Sequence, residues 1–199
     1  MCYYCDMKFT PRLNKAIEQV AILHAHHYRN DAMKTPYVTH LVAVMILVSQ
    51  ITDDEDVLIA ALFHDSLEDI PGYNMARLID DIGERSALLV STVTEPLDPN
   101  KEFIDQLPWL TRKERYLSQL RSGHDDAILI ALADKIHNTE SLIEGIHKEG
   151  EMFLSRFHSS LDNRIWLHEE VVSIAKEKNS NAALVDHLES TITRLKALR

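Results

Sequence analysis

Cysteine is nearly absent. Two stand in 199 residues, Cys2 and Cys5. Their C-x-x-C spacing suits half a zinc site or a redox pair. No second pair completes a zinc ribbon, and no strand–helix pattern suggests a thioredoxin-like unit, so the pair reads as an unpaired N-terminal tail. Low cysteine use fits a reducing cytoplasm. Basic charge is in deficit: 21 Lys and Arg against 31 Asp and Glu give a formal charge of −10. That argues against a nucleic-acid partner or an anionic membrane surface. It leaves open a small phosphorylated ligand, because a metal and a few local cations reverse the field inside a pocket. No apolar run approaches the roughly eighteen residues of a membrane span. No basic region followed by an apolar one opens the chain, so no signal peptide is expected. Five glycines and six prolines are few, while Ala, Leu and Ile abound, which favours an all-α chain. Internal repeats and low-complexity segments are missing. The length suits one domain, or one domain with an appendage.

What the chain does have is concentrated between Ala60 and Asp69, Ala-Ala-Leu-Phe-His-Asp-Ser-Leu-Glu-Asp. An apolar run from Val57 to Phe63 leads straight into ionisable and metal-binding side chains. Read as one helix, His64 and Glu68 share a face, as do Asp65 and Asp69. Such groups at the end of a buried helix are costly unless they bind something. Pro71 closes the segment. Two further stretches have the same design. Pro36-Tyr37-Val38-Thr39-His40 opens an apolar helix, and Ile128 to Asn138 is an apolar run that delivers Asp134 and, four residues on, Asn138.

The remaining elements follow in order. Thr10-Pro11 starts a helix running to about His27, with His24, His26 and His27 clustered at its end, where imidazoles suit the helix dipole. Residues 30–35 form a polar loop, and Thr39 to Gln50 the second helix. Thr52-Asp53-Asp54-Glu55 reads as a capping box for the third. Asn74–Ile82 and Glu84–Thr94 are helices broken at Gly83. Pro96 to Leu110 is the longest loop. Thr111-Arg112-Lys113-Glu114 is a second capping box, for a helix ending at Ser122-Gly123. Asp125 or Asp126 caps the next helix, to about Ile143. Met152 to His158 is a short helix or turn. Asn163–Lys178 and Asn181–Leu198 are amphipathic helices without a ligand cluster, expected to pad the core or form a homo-oligomer face.

Two His and two Asp can hold one divalent ion and leave positions open for water and substrate. Mixed imidazole and carboxylate suits Mn, Fe, Co, Ni or Zn. Such an ion lowers the pKa of bound water and polarises a phosphoryl oxygen. Glu68 and Asp69, one turn beyond, are placed to orient that water or carry its proton. Asn138 could hold a ligand or a substrate hydroxyl. His137 is the weaker candidate, with a structural role at least as common.

His40, then His64-Asp65, then Asp134 resembles the HD-domain metal phosphohydrolases. The finer pattern is Pro36 to His40, His64-Asp65-Ser66-Leu67-Glu68-Asp69, and Ala133-Asp134-Lys135-Ile136-His137-Asn138. It is similar to the hydrolase domain of the Rel/Spo alarmone enzymes, most of all the stand-alone small alarmone hydrolases. The similarity runs from about Leu23 to Leu142. It implies a single HD-domain helical fold over 10–150, with two extra C-terminal helices in a 151–199 extension packed on the same domain. It implies Mn2+ bound by His40, His64, Asp65 and Asp134, and hydrolytic water served by Glu68 and Asp69. The implied reaction removes the 3′-pyrophosphate of guanosine, or adenosine, tetra- and pentaphosphate alarmones. Tyr37, Asn138 and Ser141 match positions that look like the family's nucleoside contacts. No synthetase domain fits in the remaining residues, so a hydrolase alone is expected.

One loop departs from the pattern. The family places a basic pair and a glycine before Pro-Tyr, where they pack on the base. Here Tyr28-Arg29-Asn30-Asp31-Ala32-Met33-Lys34 keeps Arg29 as a stacking partner, with Lys34 in support, but lacks the glycine and adds Asp31. Base identity is thus more open than the chemistry. Lys148 and Arg156 are candidate phosphate contacts, weighed against solvated surface roles. Two rival readings are an HD-family nucleotidase removing a 5′ phosphate and a nucleotide-binding regulator without catalysis. The intact Glu68-Asp69 pair counts against the first, and the undamaged ligand set against the second.

Overall fold

The structure, a computed structural model, describes residues 9–96, 107–157 and 159–199. Cys2, Cys5, most of the expected loop from Pro96 and His158 lie outside the described residues. Among the described residues every regular element is a helix, and the one β feature is an isolated bridge between Tyr28 and Pro36.

The organising element is α3 (Glu55–Phe63). Its apolar residues Val57 to Phe63 run all the way round the helix, so it has no polar face to offer water. Each of the seven is at most 2% exposed. Around it pack α1 (Pro11–Leu23), α2 (Val38–Ser49), α5 (Met75–Ile82), α6 (Glu84–Val93) and α8 (Asp125–Glu149). Every large apolar side chain buried there contributes about 1.5–3 kcal/mol. Beyond α8 lie α10 (Leu161–Glu177) and α11 (Ala182–Lys196); α11 runs along α8, and α10 bridges α7 (Trp109–Ser122), α8 and α11. Two single-turn helices complete the set among the described residues, α4 (Ser66–Asp69) and α9 (Glu151–Leu154).

Several boundaries differ from expectation. The central stretch is two helices: α3 stops at Phe63, His64 and Asp65 form a turn, and α4 begins at Ser66. The Asp65 carbonyl then accepts from the N–H groups of Glu68 (3.1 Å) and Asp69 (2.9 Å). The first helix ends at Leu23, so the three histidines lie in the turn beyond it. Asp54, with its carboxylate accepting from Asp56 N–H at 3.0 Å, caps α3 in place of Thr52. Thr52 instead accepts from Asp54 N–H, 3.1 Å away. Helix α7 starts at Trp109, placing Thr111 inside it. Neither Asp125 nor Asp126 caps α8: the ring of His124 accepts from Asp126 N–H at 3.2 Å, leaving both acids in the first turn, where the helix dipole favours them. Helix α8 also continues to Glu149, past the expected end at Ile143.

Candidate metal centre and substrate cavity

Two helix ends and the middle of a third helix meet over the core. The first turn of α2 brings His40, the turn after α3 brings His64 and Asp65, and the middle of α8 brings Asp134. His40 is fully buried and His64 is 3% exposed. The Nε2 atoms of both are buried without a hydrogen-bond partner. They converge on two carboxylates: His40 Nε2 lies 3.5 Å from Asp65 Oδ2 and 3.3 Å from Asp134 Oδ1, and His64 Nε2 lies 3.1 and 3.7 Å from the same oxygens.

The other ring nitrogens explain the aim. His64 Nδ1 sits 2.8 Å from the Ala61 carbonyl and must donate to it, which leaves Nε2 as the lone-pair nitrogen. His40 Nδ1 lies 2.8 Å from His137 Nδ1. Burial first, then His40, push His137 down to about 4, so it is a neutral ring able to accept from His40. A His40 ring that donates from Nδ1 presents Nε2 as its lone-pair nitrogen. The carboxylates are held as firmly. Tyr37 Oη donates to Asp65 Oδ2 at 2.7 Å, Asn138 donates to Asp134 Oδ1, and the Lys135 ammonium pairs with Asp134 Oδ2. Arg29 completes the ring, donating to Asn138 Oδ1 at 3.0 Å with its guanidinium 5.6 Å from the Tyr37 ring centre.

Two lone-pair nitrogens and two carboxylates around one point fit a divalent cation, since buried charges of this kind otherwise lack compensation. Without a cation, protons take its place. Burial would lower His64, but Asp65 and Asp134 outweigh it and hold the ring well above its ordinary value. Burial would raise Asp65 and Asp134, yet the imidazoles, and for Asp134 also Lys135, hold both well below theirs.

A cavity lies on each side. The smaller, ≈ 60 Å³, is polar and can hold a few waters. His64, Asp65 and Asp134 reach it, with Glu68, Lys113 and Lys135 opposite. Glu68 accepts from the Glu95 N–H at 2.5 Å. Burial and then the Asp65 charge push Glu68 up to about 7, though solvent reaching the side chain screens that push. Glu95 is bound by Arg112 (2.8 Å) and Lys113. The larger cavity, ≈ 710 Å³, is walled by Arg29, Tyr37, Asn138, Ser141, Lys148 and Arg164, among others. It is the size of a drug-like or nucleotide ligand site.

The structure therefore brings His40, His64, Asp65 and Asp134 together, and sets Arg29, Tyr37, Asn138 and Ser141 on one cavity wall. Lys148 is on the rim, exposed and paired with Glu144 at 2.6 Å. Arg156 is paired with Glu149. Lys34 sits in the left-handed backbone region (φ 54°) where the missing glycine would have been at ease. Glu68 and Asp69 part company: Glu68 faces the small cavity, Asp69 faces His24 and His27. Sequence reasoning missed Lys113, Lys135, Glu95 and Arg164. Only Lys135, beside Asp134, carried a local signal.

Residues 16–152 match the HD domain family. A guanosine-3′,5′-bis(diphosphate) 3′-pyrophosphohydrolase of Haemophilus influenzae is 32% identical over 124 residues, 59% of this chain and 17% of that protein. The chain thus spans about a sixth of the length of the first curated relatives it matches. A protein of the same activity name from Mus musculus is 28% identical over 133 residues, 66% of this chain and 69% of the relative. Among solved structures, one described as a metazoan ortholog of SpoT that hydrolyzes ppGpp superposes with a TM-score of 0.76 at 25% identity, covering 96% of this chain and 99% of that one.

Proposed function

The chain belongs to the HD domain family, and from that premise we propose that it is a metal-dependent phosphohydrolase removing the 3′-pyrophosphate of guanosine tetra- and pentaphosphate alarmones. The observation that carries the reading is the pair of buried, partnerless Nε2 atoms of His40 and His64 aimed at Asp65 and Asp134, beside a cavity of nucleotide size. The names of its relatives supply the substrate class.

These four residues would hold one divalent ion, Mn2+ in our reading; when bound it supplies Lewis-acid stabilisation of phosphoryl charge and a more acidic water. The chain's own groups do the rest. The nucleoside lies in the larger cavity against Tyr37, Asn138 and Ser141, with Arg29 stacking on the base and Lys148 at the rim. Lys113 and Lys135, held beside the smaller cavity by Glu95 and Asp134, are the cations nearest the departing pyrophosphate, and the divalent ion would supply the rest of the positive charge. Glu68, held above the usual carboxylate range by burial and the Asp65 charge, takes the proton of the attacking water. Asp69, expected beside it, faces His24 and His27 instead and has no direct part in this step. Water adds to the phosphorus carried by the ribose 3′ oxygen, the P–O3′ bond breaks, pyrophosphate leaves with the water oxygen, and the 3′ oxygen gains a proton. The same reading makes residues 10–150 the catalytic domain and 151–199 an extension of it; the packing of α11 along α8 supports this.

The test is product analysis by anion exchange, with Mn2+ and with chelator, on guanosine and adenosine alarmones in parallel. Nucleoside diphosphate plus pyrophosphate from either, only with metal, is expected. The ratio of the two rates reads what the Arg29 loop selects. Release of a single 5′ phosphate, or no release by metal-loaded protein, would replace this reading with that of an HD-family nucleotidase or a non-catalytic binder.

A further inference from the structure

Asp69 turns away from the cavity that holds Glu68 and meets two imidazoles. One nitrogen each of His24 and His27 and one Asp69 oxygen all lie within 4.8 Å of one another. The Nδ1 atoms of His24 and His27 are 3.3 Å apart. Two nitrogens about 2.0–2.1 Å from a tetrahedral cation stand roughly 3.3 Å apart. The rings are therefore already at the spacing that coordination requires. His24 is 1% exposed and its Nε2 is buried without a hydrogen-bond partner, so among the described residues no group outside this cluster holds either nitrogen of the ring.

The three side chains are fixed by structure around them. His27 N–H donates to the His24 carbonyl at 3.0 Å, and Tyr37 N–H donates to the His27 carbonyl at 2.9 Å. The Tyr28–Pro36 bridge closes the loop between them. The Tyr37 ring stacks on His24, centroids 5.4 Å apart and planes 12° from parallel. Burial pushes His24 down to about 4, so the ring is neutral at neutral pH and its lone pair is available. Asp69 itself has the charges of Asp65 and Glu68 nearby, and a cation would offset them.

We propose that His24, His27 and Asp69 form a second divalent-cation site of transition-metal type, separate from the centre at His40, His64, Asp65 and Asp134. Two imidazoles and one carboxylate are a catalytic-type donor set, closing three positions and leaving others open. Tyr37 joins the two sites, with its ring on His24 and its hydroxyl on Asp65. The proposal rests on these three residues and does not depend on the hydrolase reading.

The test is metal stoichiometry on full-length, metal-stripped protein, titrated with Co2+ and followed by calorimetry and by the visible absorption of the cobalt. Wild type should bind two equivalents. His27→Gln, which keeps size and polarity but removes one ligand, should bind one. Asp65→Ala should also bind one, with cobalt bands now coming from the second site alone. One equivalent in wild type, lost in Asp65→Ala and kept in His27→Gln, would overturn this site and leave the first intact. Two equivalents retained in His27→Gln would overturn the assignment of ligands. No binding in any of the three would overturn both sites together.

Discussion

Glu68 and Asp69 are sequence neighbours with different surroundings, and that difference separates their effects. Glu68 touches the small polar cavity and no ligand of the centre through a hydrogen bond. Glu68→Gln keeps the acceptance from Glu95 N–H but loses the base. It should retain metal and lower kcat by about 10²–10⁴-fold; steady-state kinetics beside metal analysis would check it, and a wild-type rate would reduce Glu68 to a structural residue. His137 acts at one remove, through His40 Nδ1. Removing such a partner costs about 10–100-fold in metal affinity. His137→Ala should show that loss by calorimetric titration, and an unchanged affinity would mean that His40 is oriented by packing alone.

Among elements, α8 positions most. It carries Asp134, His137, Asn138 and Ser141 on one side, and Gly145 where α9 crosses. A Cβ on Gly145 would come within 2.3 Å of the Phe153 ring. Both residues wall the large cavity. Gly145→Ala should cost about 1–3 kcal/mol by overpacking and raise KM more than it lowers kcat, read from thermal melts and initial rates; unchanged values of both would show that Phe153 moves freely. Gly145 also shows why the sequence understated this helix. A glycine inside a helix weakens it by propensity, but here a close helix–helix approach is its reason. The meeting of His40, His64, Asp65 and Asp134 was legible because each sits at the end of, or within, an apolar run that had to be buried. The break between Phe63 and Ser66 was not. Neither His64 nor Asp65 is a breaker, and the turn serves the aim of their side chains. The histidines after Leu23 leave the helix for a similar reason, since Tyr37 stacking and the His27 carbonyl bond are contacts from another part of the chain. Lys113, Glu95 and Arg164 reach the cavities through tertiary packing alone, with no local motif to mark them.

For the whole molecule, the centre concentrates buried charge, and its stability depends on what neutralises it. No helix among the described residues is long and apolar enough to cross a membrane. Burial, then Asp65 and Glu68, push Asp69 up from 3.8 to about 7. The native chain therefore holds a proton there more tightly than the unfolded chain. The stability this gives is complete below 3.8 and is lost as pH rises toward about 7. His64, raised above its ordinary 6.5, likewise stabilises below that value and ceases to do so as pH passes its folded value. Asp65 and Asp134, held low, contribute stability above the usual carboxylate range and lose it only as pH falls below that range, so they do not change between about pH 5.5 and 8. Metal-free protein should thus become less stable from about pH 5.5 to 8, and a divalent ion should replace the lost protons. Thermal melts with chelator and with Mn2+ should show a larger metal-induced rise in Tm at pH 8 than at pH 5.5; an equal or smaller rise would contradict this charge balance. The most direct test of the central claim compares wild type and Asp65→Ala, with metal content and pyrophosphate release from guanosine tetraphosphate alarmone measured on the same samples. The account predicts that the His40, His64, Asp65 and Asp134 centre loses its metal and that turnover falls with it to background. Full turnover by Asp65→Ala would contradict it.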